Sequence, residues 1–492
     1  MRASRLTAFL GLTGILSSPV WSAERNYWPF LVEQTVTESD GTERVDSWQG
    51  LGPLLFGKTL PDGGQAHGFR PFYLLQQRAS GQAVERYVLY PLYFRRKDSS
   101  GLRWSFFDVV NYDGPQNPAA PRIKRLDVWP FYFSRDTTRP DSSYHAVFPI
   151  YGSVVNRFGQ DRMRWTFFPL YGRFEKHGVV TTTTPWPILK TVSGEDNRGF
   201  ELWPLFGYRE KPGDYREQFY LWPLLYKNEA NLAEPQPATK WGFLPFYARE
   251  QSAESISESY VWPLFGYTHR TLPTRYDETR WLWPLLVQGQ GDDRRVNRWA
   301  PLYSHSVSRG VDKTWIMWPL LREAKWTDEG LAQTKTQFFY FIYWSLRQRS
   351  AAHPELPPAQ KTHLWPLYSY WDNGAGRRQL QLISPLEVLL QHNDLVRLAY
   401  FPLFALYRYE QRTPGDVRHS LLWDAVTWRR QPGRKEFHVG PLVGYVSDHQ
   451  QQRVALGGCL LGLTRRPGKA WRPFVFNFTV RTPRTRSLAT SP

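Results

Sequence analysis

The chain has 492 residues, a formal net charge of +18, 41% hydrophobic and 16% aromatic residues, and one cysteine. A single cysteine excludes an internal disulfide framework, and 23 Trp and 27 Tyr against 3 Met favour sheet over helix. The basic excess favours anionic partners, either anionic lipid and lipopolysaccharide headgroups or acidic polysaccharide.

In chain order, Met1-Arg2-Ala3-Ser4-Arg5 leads into an apolar stretch from Leu6 to Leu16 and then Val20-Trp21-Ser22-Ala23. A basic start, a short apolar run and a small-residue site read as a signal peptide over 1–23, which places the mature chain outside the cytoplasm. No later apolar run approaches the roughly 18 residues of a membrane helix, so any later span would have to be a β-barrel.

From Trp28-Pro29 to Arg472-Pro473 an apolar core centred on proline returns roughly every 19 residues, the mark of a repeat architecture. Copies include Trp129-Pro130-Phe131, Phe168-Pro169-Leu170, Trp203-Pro204-Leu205, Trp222-Pro223-Leu224 and Trp262-Pro263-Leu264. Trp283-Pro284-Leu285, Trp318-Pro319-Leu320 and Trp365-Pro366-Leu367 continue the series. Proline-free segments at 106–110, 338–344 and 421–426 fall on the same spacing, giving about two dozen units in one domain over 24–480.

Polar segments between the cores carry turn chemistry. Tyr208-Arg209-Glu210 and Tyr215-Arg216-Glu217 flank Lys211-Pro212-Gly213-Asp214 as two arms of a hairpin. The joints 111–125, 230–240 and 323–337 are longer and are candidate recognition loops. Around Trp222-Pro223 both strand faces are apolar, which predicts strand centres covered on both sides. Proline lacks an N–H, so each strand should bend at mid-length, or else proline should open a second short strand after a corner. The segment 473–480 alternates as a last strand, and the basic tail 481–492 should be disordered.

The expected fold is therefore all-β: a long antiparallel meander, one strand per period, closed as a large β-barrel. A propeller or another sheet-stacking repeat is the alternative. No His-Glu-x-x-His pair, Walker loop or nucleophile elbow is present, so the reading is non-enzymatic, without cofactor or metal. Cys459 sits in an apolar setting and reads as an inert buried thiol.

Asp108, Glu387 and Asp424 interrupt apolar cores. Such acids either pair with arginine or mark a hydrated lumen. The recurring tryptophans read as a packed layer of the repeat, or as an interfacial belt. Nucleic acid has little support in an exported chain with no recognised module. The functional expectation is an exported envelope protein of structural or transport type, an outer-membrane barrel of a Gram-negative cell. A soluble periplasmic or secreted repeat protein, binding acidic glycan or a protein partner through aromatic and basic loops, is the second reading.

Overall fold

The computed structural model describes residues 22–37, 43–79, 83–115, 123–387, 390 and 393–476. The expected signal segment up to residue 21 and the tail lie outside them. The described residues form 45 strands that join one antiparallel sheet in which each pairs with its neighbours in sequence. Two short helices, Asp394–Ala399 and Phe401–Phe404, interrupt the series late in the chain.

The meander is as expected, but each period supplies two strands, and this roughly doubles the anticipated number. Trp-Pro-Leu is the turn between the two strands, and no long strand bends at it. The Trp-Pro bonds are cis at Trp129, Trp203, Trp222, Trp262, Trp283, Trp318 and Trp365. Each copy is thereby a type VI turn with proline in third place. The fourth residue closes it, Leu205 N donating to Leu202 O at 2.8 Å and Leu320 N to Met317 O at 2.7 Å. At that third place the ladder demands no N–H, so proline costs no pairing there. The proline-free copies are turns as well: Phe107–Val109, Phe339–Ile342 and Leu422–Ala425.

The Lys211–Asp214 hairpin forms as expected, with Arg209 opposite Glu217 and Glu210 opposite Arg216. The supposed long joint at 323–337 instead holds two of the longest strands, Leu321–Asp328 and Leu331–Phe338, around the tight turn Glu329-Gly330.

Because consecutive strands are antiparallel and joints alternate between apolar and polar, the sheet has two unlike rims. Among the described residues the apolar turns lie along one rim and the polar joints along the other. Neighbouring apolar turns are also bonded to each other: Trp186 N donates to Pro169 O, Trp203 N to Ile188 O, and Trp222 N to Pro204 O, at 2.7–2.8 Å. This belt uses the N–H of the residue before proline. Strands run four to eight residues, so the ribbon is about 20 Å tall and roughly 200 Å long.

The two faces differ too. One face carries small residues and the buried groups, including Gly152, Val154, Gly172, Ala248 and Ala324. Aromatic rings lie over these glycines, Trp165 of the adjacent strand over Gly152 and Phe174 of the same strand over Gly172, and a Cβ on Gly152 would stand 2.5 Å from the Trp165 ring. Trp165 packs there with Phe133, Tyr144, Ala146 and Val154, and its Nε1 donates to Val147 O at 3.1 Å. Replacing Trp165 with alanine is expected to cost about 3–5 kcal/mol by emptying this cluster, measured by urea unfolding.

The ribbon doubles back so that this face meets itself. Glu24 and Asn26, in strand Ser22–Tyr27, reach Arg418 in Asp416–Leu421 and Thr427 in Val426–Gln431. Arg412 bonds Gln34 and Asp46, each at 3.0 Å. Among the described residues no ladder joins the first strand to the last strand, Arg472–Val475. The two ends meet through side chains instead.

Candidate functional site

The apolar rim combines exposure with hydrophobicity. Trp129 is 53% exposed, Leu170 61%, Trp222 51% and Trp318 56%. Rings nevertheless touch along the rim, Trp203 with Trp222 and Phe168 with Trp186. The packed layer expected for these tryptophans is therefore only half covered. On the outer face, the residues flanking each turn add a second apolar row that includes Tyr151, Tyr220, Trp299 and Ile316, all exposed.

Two residues further from the rim on that outer face, arginines face one another. Arg86 is opposite Arg95, and Arg164 is opposite Arg173. Like charges directly opposite destabilise a ladder unless an anion lies near. Only Arg173 has an acid partner, Glu175 at 3.1 Å. Among the described residues Arg86, Arg95 and Arg164 have no ion pair.

The three acids singled out by sequence fall in different places. Asp108 is exposed in its rim turn, where it accepts from Ser105 Oγ at 3.0 Å, so it is not a buried group. Glu387 is buried and bridges Lys361 at 2.8 Å and Arg397 at 2.9 Å. Asp424 is buried in another rim turn and accepts from Arg418 at 2.9 Å. Cys459 is half-buried, also in a rim turn.

Asp424 belongs to a polar seam between the two sheet ends that local sequence did not reveal. Arg418 holds Glu24 with two hydrogen bonds, at 2.8 and 3.2 Å. Burial works against the charged form of Glu24, but the Arg418 charge and hydrogen bonds outweigh it and hold the carboxyl down at about 2. Nearby, burial pushes Glu436 up to about 7, with the Glu24 charge adding to it against Arg434 and Arg429. One Glu436 oxygen accepts from Arg434 at 2.6 Å and the other is buried without a partner.

No family model and no curated protein matches the chain.

The chemistry must therefore be read from geometry. Among the described residues no group of His, Cys, Asp or Glu is arranged to hold a metal ion, and no helix is long and apolar enough to cross a membrane. The seam has a pH signature. Glu436 titrates higher folded than unfolded, so its contribution falls as pH rises from about 4.3 through 7. Glu436→Gln is expected to stabilise the protein by about 3–4 kcal/mol at pH 8 and by little at pH 4, in paired urea titrations.

Proposed function

We propose that this is an exported envelope protein of structural or transport type that seats its Trp-Pro rim in one leaflet of an anionic membrane, with the Gram-negative outer membrane as its location. The observation that carries the reading is the continuous exposed apolar rim. Soluble monomers rarely expose apolar patches above about 300–600 Å², and a ribbon roughly 200 Å long edged with Trp, Phe and Leu goes well past that.

Depth and charge fit the same picture. Interfacial elements sink about 5–10 Å into the headgroup and acyl boundary. The turn and its outward row fill that depth, with Trp and Tyr suited to the boundary because one end of each ring system is apolar and the other wet. Arg86, Arg95 and Arg164 then lie about 7 Å further down, level with anionic headgroups. The net charge of +18 adds a general attraction.

Strand length favours seating in one leaflet over crossing both. A spanning strand needs about 9–11 residues, and these have four to eight. The space enclosed by the doubled-back ribbon would then open onto the membrane, in keeping with a structural or transport role.

The test is flotation of the mature chain with vesicles of phosphatidylcholine alone or with phosphatidylglycerol added. Binding that increases with phosphatidylglycerol, together with a blue shift of tryptophan emission, is expected. Recovery of all the protein in the unbound fraction with both vesicle types would overturn the reading.

A further inference from the structure

On the inward face, far from the apolar turns, one row crosses the sheet through Ser306, Lys313, Ala324, Lys335, Leu346 and Lys361, each opposite the next. Lysine thus stands on every second strand, at intervals of about 10 Å. Of the acids of these strands, Asp312 and Glu323 alternate to the outer face, where they meet His305 and Lys325, and Asp328 is exposed on the inward face at the polar end of its strand, two residues beyond Trp326. Lys361 is neutralised by Glu387 at 2.8 Å, which closes that end of the row. Among the described residues Lys313 and Lys335 have no ion pair. Burial and the Arg322 charge both push Lys335 down, as expected of cations gathered without an acid.

Two further features lie along the row. At its open end a cavity of about 380 Å³ is lined by Arg270, Arg294, Ser308, Arg309 and Lys313, with Asp293 as its one acid. Along its flanks, Trp315 stands on the side of the apolar rim and Trp326 on the side of the polar rim, both half-buried. Between them lie Ala324 and Lys335, bordered by the hydroxyls and amides of Ser304, Ser306, Gln333 and Gln337.

We propose that this row binds a linear acidic polysaccharide, its carboxylates on Lys313 and Lys335 and its sugar faces against Trp315 and Trp326. A polymer with regularly spaced charges matches lysines repeated at every second strand, and aromatic faces with polar edges suit a saccharide. Charge-assisted hydrogen bonds in a partly dry groove give each lysine a substantial share of the affinity. The inference is independent of the membrane reading, since the row lies on the opposite face from the outward arginines.

The experiment is calorimetric titration of the lipid-free mature chain with oligogalacturonate, with neutral pullulan and inorganic phosphate as comparisons. Oligogalacturonate is expected to bind, more weakly as salt rises, and pullulan and phosphate are not. Lys313→Gln and Lys335→Gln should each weaken binding roughly tenfold. Lys335→Arg should retain it, and Lys325→Gln on the outer face should leave it unchanged. Failure of oligogalacturonate to bind, equal binding of pullulan, or equal loss with Lys325→Gln would each overturn the proposal. Anionic vesicles bound through Lys335 in place of the saccharide would overturn it in favour of lipid. With no lipid in the titration, its failure leaves the flotation result standing.

Discussion

Replacing Arg418 with methionine is expected to destabilise the protein by about 3–5 kcal/mol, since it leaves two buried carboxylates without their cation. The Arg418 side chain is 6% exposed and those of Glu24 and Asp424 are 1% and 7% exposed. Asn26 ties the same place together by donating to the Asp424 carbonyl at 2.8 Å. The loss should be local at first, appearing as faster amide exchange in Ser22–Tyr27 and Asp416–Leu421. Because Arg418 holds Glu24 at about 2, below its unfolded value near 4.3, the pair contributes fully above that value and is lost as pH falls towards 2. Arg418→Met should therefore lose most at neutral pH and recover on acidification as Glu24 takes up a proton. Neutralising all three groups together, as Glu24→Gln, Arg418→Met and Asp424→Asn, should cost far less than Arg418→Met alone. A triple variant no more stable than the single one would show that the seam does not depend on this charge balance. Urea unfolding at pH 7 and pH 4 reads all of these outcomes.

The period, the antiparallel meander and the hairpin between Tyr208 and Glu217 were legible because each depends on residues close together in the chain. The role of Trp-Pro-Leu was not. A segment apolar on both faces describes a covered strand centre and an exposed apolar rim equally well, and alternation alone does not separate them. The polar turns were recognised by their Gly and Pro, whereas the apolar turns carry strand-forming Trp, Phe and Leu. The strand count was halved for that reason.

The acids show a second limit. Phe107-Asp108-Val109 and Trp423-Asp424-Ala425 are nearly the same local pattern, yet one acid is exposed and the other buried. What separates them is the return of the N-terminal strands, which brings Asn26 to Asp424 across 398 residues. No local signal carries that information. The small residues of the inward face were readable in principle. Gly152, Gly172 and Ala248 share one face once the hairpin register is known, but that register could be counted only after the turns had been placed.

Changing Trp203, Trp222 and Trp262 together to glutamate is expected to weaken vesicle binding about a thousandfold. Seating a half-exposed ring in the membrane contributes about 1.5 kcal/mol at common transfer coefficients, so three rings amount to roughly 4–5 kcal/mol. Glutamate beside anionic headgroups adds repulsion to that loss. The fold should survive, because the three rings are 38%, 51% and 47% exposed. The backbone N–H groups of Trp203 and Trp222 keep their places in the belt whatever the side chain. Among the described aromatic pairs the Trp203–Trp222 contact is the one lost, with ring centroids 6.1 Å apart, worth about 1 kcal/mol. Arg86→Gln with Arg95→Gln should act differently, removing the preference for phosphatidylglycerol while neutral vesicles still bind. The two variants thus separate the apolar contribution from the charged one. If the glutamate variant folds and floats like the unmodified chain, the rim is not the membrane contact. If it loses flotation and high salt removes only the unmodified chain's preference for phosphatidylglycerol, both contributions act at the same surface, as the arginines two residues beyond the row that flanks the turns require.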